Sequence, residues 1–228
     1  MAGARMGRPL ALTRDAIAQA VLDVGFAHLT VAAVRARLGV GQTTLYRYAA
    51  DRDELVRIGL DHILGNAAWP SLDGHWRETL DRYALALWRL WEAHPRAAAE
   101  AARGVLPKTM LFLTGELCAV LLRQGFTPDN AILACDIVFD LVTDNRRDIE
   151  QHASTTAMAA LHAPGVESRP GGLGEAELGP RATETEQGII HAALTRAFSA
   201  EPLDWFTRKL RVALDGVEQS LAPEVPAK

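Results

Sequence analysis

Gly39 stands between two runs of helical periodicity, and this one position restricts the local fold more tightly than any other. Before it, Thr30 offers an N-cap and Val31, Val34 and Leu38 form an apolar face; after it, a third helical run spans about 42–48. Glycine reaches the left-handed backbone that a tight interhelical turn requires, so the two runs read as a helix-turn-helix. A preceding helix runs over about 13–23, with Ile17, Ala20, Val21 and Val24 inward and Gly25 as its stop. Asp51, with Glu54 three residues on, predicts a capping-box start for a long helix reaching about Asn66.

Helical punctuation continues through the chain and strand alternation is scarce. Past a break at Trp69, Pro70 and Ser71, the pattern predicts helices over about 75–93, 95–103, 107–123 and 128–151. Prolines stand at their starts, where a missing N–H removes no intrahelical bond. The stretch 152–181 holds Pro164, Pro170, Pro180 and Gly171-Gly-Leu-Gly174 with few large apolar side chains, and reads as a long mobile loop. Two helices follow, over about 184–198 and 203–221. The expected fold is all-α. A flexible arm (1–12) leads into a three-helix helix-turn-helix domain (13–50) and a larger helical-bundle domain (51–228).

Charge is divided along the same line. The net charge is −4, yet residues 1–57 carry eight arginines against five acids, +3, leaving −7 on the remainder. One end of the molecule is therefore suited to a polyanion, since phosphate neutralisation dominates affinity for DNA. Cys118 and Cys135 lie in apolar helical runs without CxxC spacing, which predicts buried, reduced thiols and a cytoplasmic chain. No apolar run has the length of a membrane span or a signal sequence, so no membrane partner is expected. GxSxG, HExxH and a Walker lysine are all missing, and Gly171–Gly174 follows no strand; the expectation is a non-enzyme. His62, His75 and His94 match no compact metal motif, so no metal or cofactor is expected.

The third helical run has the chemistry of a reading head. Leu45 can anchor it while Gln42, Thr43, Thr44, Tyr46, Arg47 and Tyr48 project outward. Glutamine can bond an adenine edge with two hydrogen bonds, threonine offers a hydroxyl and a methyl, and arginine reads guanine or holds phosphate. The tyrosines suit phosphate contacts. Thr30, Leu38-Gly-Val40, Leu45-Tyr-Arg-Tyr48 and Asp51-Arg-Asp-Glu-Leu55 together resemble the signature of the TetR family, over about 13–64. Arg123-Gln-Gly-Phe-Thr-Pro-Asp-Asn-Ala131 and Phe206…Leu214-Asp-Gly-Val-Glu218 are similar to its tetracycline-repressor branch. The resemblance implies a repressor released from a palindromic operator by a small-molecule effector. Gln42, Thr43, Thr44, Tyr46, Arg47 and Tyr48 would meet the operator, with Thr30 and Arg52 on the phosphate backbone. Ala32 replaces a frequent basic residue, Tyr48 a frequent histidine and Arg52 the usual lysine, so the operator sequence does not transfer. A ligand-dependent activator, or a helical interaction protein with a degenerate DNA module, are the alternatives. Arg5 and Arg8 belong to a disordered tail or to an arm reaching DNA.

The resemblance also implies a cavity in the larger domain. Among the aromatics that could line one, including Trp69, Trp76 and Trp91, we single out Trp88 and Phe139 at mid-helix, with Phe112. Residues 100–106 lack the histidine that supplies a metal ligand in the tetracycline branch, which argues against tetracycline with magnesium. Asp136, Asp140, Asp144 and Asp148 recur every four residues and form one stripe. It reads either as a solvated face relieved by Arg146 and Arg147, or as a pair, Asp136 and Asp140, meeting a cationic ligand. Two half-sites read by one helix each require two-fold symmetry. The helices over 128–151 and 203–221 carry more apolar surface than one bundle buries and are expected to pair as a four-helix homodimer interface.

Overall fold

The computed structural model describes residues 12–154 and 183–223. The arm with Arg5 and Arg8, and the expected loop beyond Ser154, lie outside the described residues. Ten α-helices and no strand occur among the described residues: α1 (Arg14–Val24), α2 (Val31–Leu38), α3 (Gln42–Tyr46), α4 (Arg52–Gly65), α5 (Trp76–Ala93), α6 (Ala97–Ala101), α7 (Lys108–Arg123), α8 (Pro128–Ser154), α9 (Glu184–Ser199) and α10 (Pro202–Ser220).

The helix starts follow from local chemistry. Thr13, Thr30 and Asp51 each accept the backbone N–H three residues on, at 3.1, 3.0 and 2.8 Å, satisfying donors that have no intrahelical partner. Only half of the capping box at Asp51 forms, because the Glu54 carboxylate turns to Arg57 and Arg14. Gly39 takes φ 65°, ψ 29°, the left-handed conformation needed between α2 and α3. Two details differ from the sequence reading. A 3-10 turn, Phe26–His28, follows α1 and buries Phe26 and Leu29 under the head. Helix α6 is also shorter than expected, because Arg96 adopts φ 70° and its N–H donates to Glu150 Oε2 at 2.9 Å, ending the turn that starts at His94.

Ile17, Val21, Phe26, Val34 and Leu45 form the core of the small N-terminal unit, and α4 closes it with Leu55, Ile58 and Gly59. The larger unit is built round α5 and α8. Trp88 stacks on Phe206 of α10 at 4.4 Å, and Arg146 of α8 lies 5.0 Å over the Trp88 ring. Trp91 donates through Nε1 to Thr143 Oγ1 at 3.3 Å. A cluster of fully buried Trp, Phe and Leu side chains of this kind contributes about 1.5–3 kcal/mol for each residue. Gln124, just past α7, accepts from Trp76 N and donates to Gly74 O, pinning the start of α5. Asn130 donates to Leu221 O and Lys209 to Asn145 Oδ1, so α8 and α10 run antiparallel. Cys118 and Cys135 are free thiols with sulfurs 3.8 Å apart between α7 and α8. No helix among the described residues is long and apolar enough to cross a membrane.

Gly59 sets the distance between α4 and the head: a Cβ there would lie 2.6 Å from Val21 Cγ1 and 3.1 Å from the Phe26 ring. Overpacking of this kind costs about 1–3 kcal/mol, against a helix-propensity gain for alanine of about 1 kcal/mol. Gly59→Ala is expected to lower the denaturation midpoint, whereas Gly65→Ala in the same helix, with its nearest atom at 4.0 Å, leaves it unchanged or raised. Urea denaturation of the two variants checks this.

Candidate nucleic-acid interface

Helix α3 is too short to hold its place by its own hydrogen bonds and is fixed by one buried side chain, Leu45, with Ala49 just beyond it. Tyr48 N and Ala49 N both bond to Leu45 O, so the backbone continues as a turn through Tyr48 and carries the outward face past the helix end. On that face Gln42, Thr43, Thr44, Tyr46, Arg47 and Tyr48 are all exposed, the two tyrosines at 43% and 42%. The structure thus brings six of the expected DNA-contacting residues onto one surface. Arg35 of α2 reaches Gln42 Oε1 at 3.5 Å and orients its amide. Thr30 lies exposed at the start of α2; its oxygen accepts from Ala33 N, which leaves the hydroxyl hydrogen free to donate outward.

Arg52 has partners within the chain. It was expected on the phosphate backbone, but its Nε donates to the Leu29 carbonyl at 3.0 Å and its two terminal nitrogens to Glu100 at 3.0 and 2.6 Å. The guanidinium fork matches a carboxylate, and Glu100 is already in place on α6, so Arg52 joins head to body. Glu100 also accepts from Arg103, which in turn approaches Asp53 at 3.5 Å. Burial alone would push the Glu100 carboxyl up, but the hydrogen bonds from Arg52 and Arg103 outweigh it and hold the group below its ordinary range. A second tether lies one turn before the end of α4, where Asp61 accepts from Thr109 N and Oγ1 at 3.0 and 3.1 Å. The sequence reading missed Glu100; a lone acid in the run Ala97-Ala-Ala-Glu-Ala-Ala102 was its available signal.

The five expected ligand residues do not converge. Trp88 is buried in the α5–α10 core, Phe112 is 67% exposed on the outside of α7, and Phe139 is half-buried on α8. Asp136 and Asp140 are exposed. Arg147 pairs with Asp144 and Asp148, whereas Arg146 turns inward to Trp88 and Glu92. Burial, then Asp136 and Asp144, raise the Asp140 carboxyl above its ordinary range. Among the described residues no group of three His, Cys, Asp or Glu could hold a metal ion. A groove of about 470 Å³ opens elsewhere, between the segment after α4 and the outward face of α5, with Trp69, Arg82, Ala86 and Arg89 in its lining.

The described residues thus form a helix-turn-helix head carried on a larger helical body. Residues 14–57 match the family described as bacterial regulatory proteins, tetR family. A curated relative, the HTH-type transcriptional repressor DrrR1 of Streptomyces coeruleorubidus, is 32% identical over 90 residues, 37% of this chain. The match spans only 33% of the length of that relative. Among solved structures, apo ActR from Streptomyces coelicolor superposes with a TM-score of 0.71 at 19% identity, over 92% of this chain and 96% of ActR. A possible TetR family transcriptional regulator from Streptomyces coelicolor A3(2) gives 0.71 at 24% identity, over 91% of this chain and 99% of that one. Residues 14–57 are therefore similar to the tetR-family domain, and over most of its length the chain shares the fold of ActR and of the second solved structure.

The Arg52–Glu100 contact gives a testable acid limb. A depressed carboxylate stabilises the fold fully above the ordinary glutamate pKa of about 4.3, and this is lost as pH falls through the lower folded value. Arg52 is one-third exposed, so removing the charge is expected to cost roughly 2 kcal/mol, less than for a fully buried pair. Glu100→Gln should be less stable than the parent at neutral pH and converge on it on acidification, measured by thermal unfolding across pH.

Proposed function

We propose that the chain is a transcriptional repressor that binds a palindromic operator as a homodimer and leaves it when a small molecule occupies the larger domain. The six exposed polar residues of α3 and the turn after it, fixed by Leu45 within a segment that matches the tetR family, carry this reading. Residues at a helix start that present an amide, hydroxyls and a guanidinium suit base edges, and flanking phenols suit phosphates. The relative named a transcriptional repressor, and ActR solved with actinorhodin and with (S)-DNPA, support it.

Dimerisation is supported by apolar side chains left open on α8 and α10: Leu133, Ile137, Trp205 and Val212, the last at 70% exposure. Arg208 and Lys209 of α10 oppose the sign of Asp140 and Asp144 on α8, so a second copy related by a two-fold axis meets both apolar and charge complementarity. The effector would act through α4, which is tied to α6 by Arg52–Glu100 and to α7 by Asp61–Thr109. A ligand that prefers a dimer with its heads wrongly spaced lowers operator affinity by that preference.

Selection of bound sequences from a random duplex pool is expected to return a palindrome with half-sites one helical turn apart; sequence-independent binding would sink the reading. Gln42→Ala should lose about 1–3 kcal/mol of operator discrimination with non-specific binding retained. Val212→Glu should sediment as a monomer and lose operator affinity, and a variant that stays dimeric would remove α10 from the interface.

A further inference from the structure

The groove beneath the end of α4 has a chemical character of its own. Its walls are largely apolar, contributed by Trp69 and by Leu85, Ala86 and Leu90 of α5, and its charged lining residues are Arg82 and Arg89. Trp69 is set before any ligand arrives: Nε1 donates to Leu64 O at 2.8 Å and the ring stacks on Tyr83 at 5.5 Å and 12°. Arg82 is held by the carbonyls of Ser71 and Asp73 and by the Thr79 hydroxyl. Its nearest carboxylate, on Glu78, is 70% exposed and 3.9 Å away. Arg89 is exposed and has no ion pair or hydrogen bond among the described residues.

Seven residues are two helical turns, so Arg82 and Arg89 share a face of α5 with about 10 Å between them along the axis. Two cations thus flank an apolar floor, in a body whose residues after 57 carry a net −7. A volume of about 470 Å³ is that of a small-molecule site. Flat apolar walls select a ring system, and the paired guanidiniums select an anion. We propose that this groove binds a free, planar aromatic carboxylate, its acid group on Arg89 and its ring between Trp69 and Ala86, with Arg89 determining the preference for an acid. That this ligand is the effector rests on the repressor reading; the binding does not. The bond from Trp69 to Leu64 O places the occupant against the end of α4.

The test uses the full chain and three probes: 2-naphthoate, naphthalene-2,6-dicarboxylate and the neutral 2-naphthamide, titrated by calorimetry without DNA. Both acids are expected to saturate at one per chain, with the amide weaker by about tenfold, the worth of one charge-assisted contact. Arg89→Gln should erase that preference while leaving the thermal midpoint and the amide affinity unchanged. Ala86→Trp should remove binding of all three. Equal binding of acid and amide, an acid preference that survives Arg89→Gln, or no saturable binding would each overturn the assignment. Operator affinity is measured separately on the same samples. A chain that binds acids at the groove but selects no DNA sequence keeps this inference and loses the repressor reading, and the reverse result loses only the inference.

Discussion

One guanidinium, that of Arg52, bonds both the helix-turn-helix unit and the body. Arg52 spends one nitrogen on the Leu29 carbonyl, just before α2, and two on Glu100 of α6, so the unit that presents α3 and the bundle above it share one fork of hydrogen bonds. Breaking it exposes a buried carboxylate on one side and an unmet carbonyl on the other, and both costs push the two units back into register. The apolar contact of α1 with α4 supplies adhesion, but apolar contact is non-directional. Orientation comes from Arg52 and from the Asp61–Thr109 bonds on the same helix.

The sequence was most legible where the physics is local. Thr13, Thr30 and Asp51 were readable as caps because each acts on an N–H three residues away, and Gly39 because its backbone state is its own. The exposed set on α3 followed from one anchor, Leu45. Legibility failed where a partner from another element decides. Periodicity marks α7 as apolar but not which of its sides is covered, so Phe112 was read inward and lies outside. Arg52 and Glu100 are 48 residues apart in sequence, and neither announces the other. Arg96 takes a left-handed backbone without being glycine, held by Glu150 from α8, a contact no local rule anticipates.

The larger unit shows the same division. Its centre is aromatic and closed: Trp88 stacks on Phe206 and Trp91 bonds to Thr143, while the acidic stripe faces outward with Arg147 between Asp144 and Asp148. Of the two mid-helix aromatics, Trp88 lies in the core and Phe139 is half-buried on α8. The open space lies instead where a short segment leaves α4 and runs beside α5, because Ala67, Ala68 and Ala86 are too small to fill it.

Helix α4 is also a lever. Its 14 residues span about 21 Å, with the groove at one end and the head packed against its middle at Gly59. Because a side chain at Gly59 has no room, α1 follows α4 as one rigid piece. A tilt of about 10° about the groove end would displace the opposite end of α4 by about 4 Å. In the dimeric repressor proposed above, such a displacement in each copy would act on the spacing of two heads that meet half-sites about 34 Å apart.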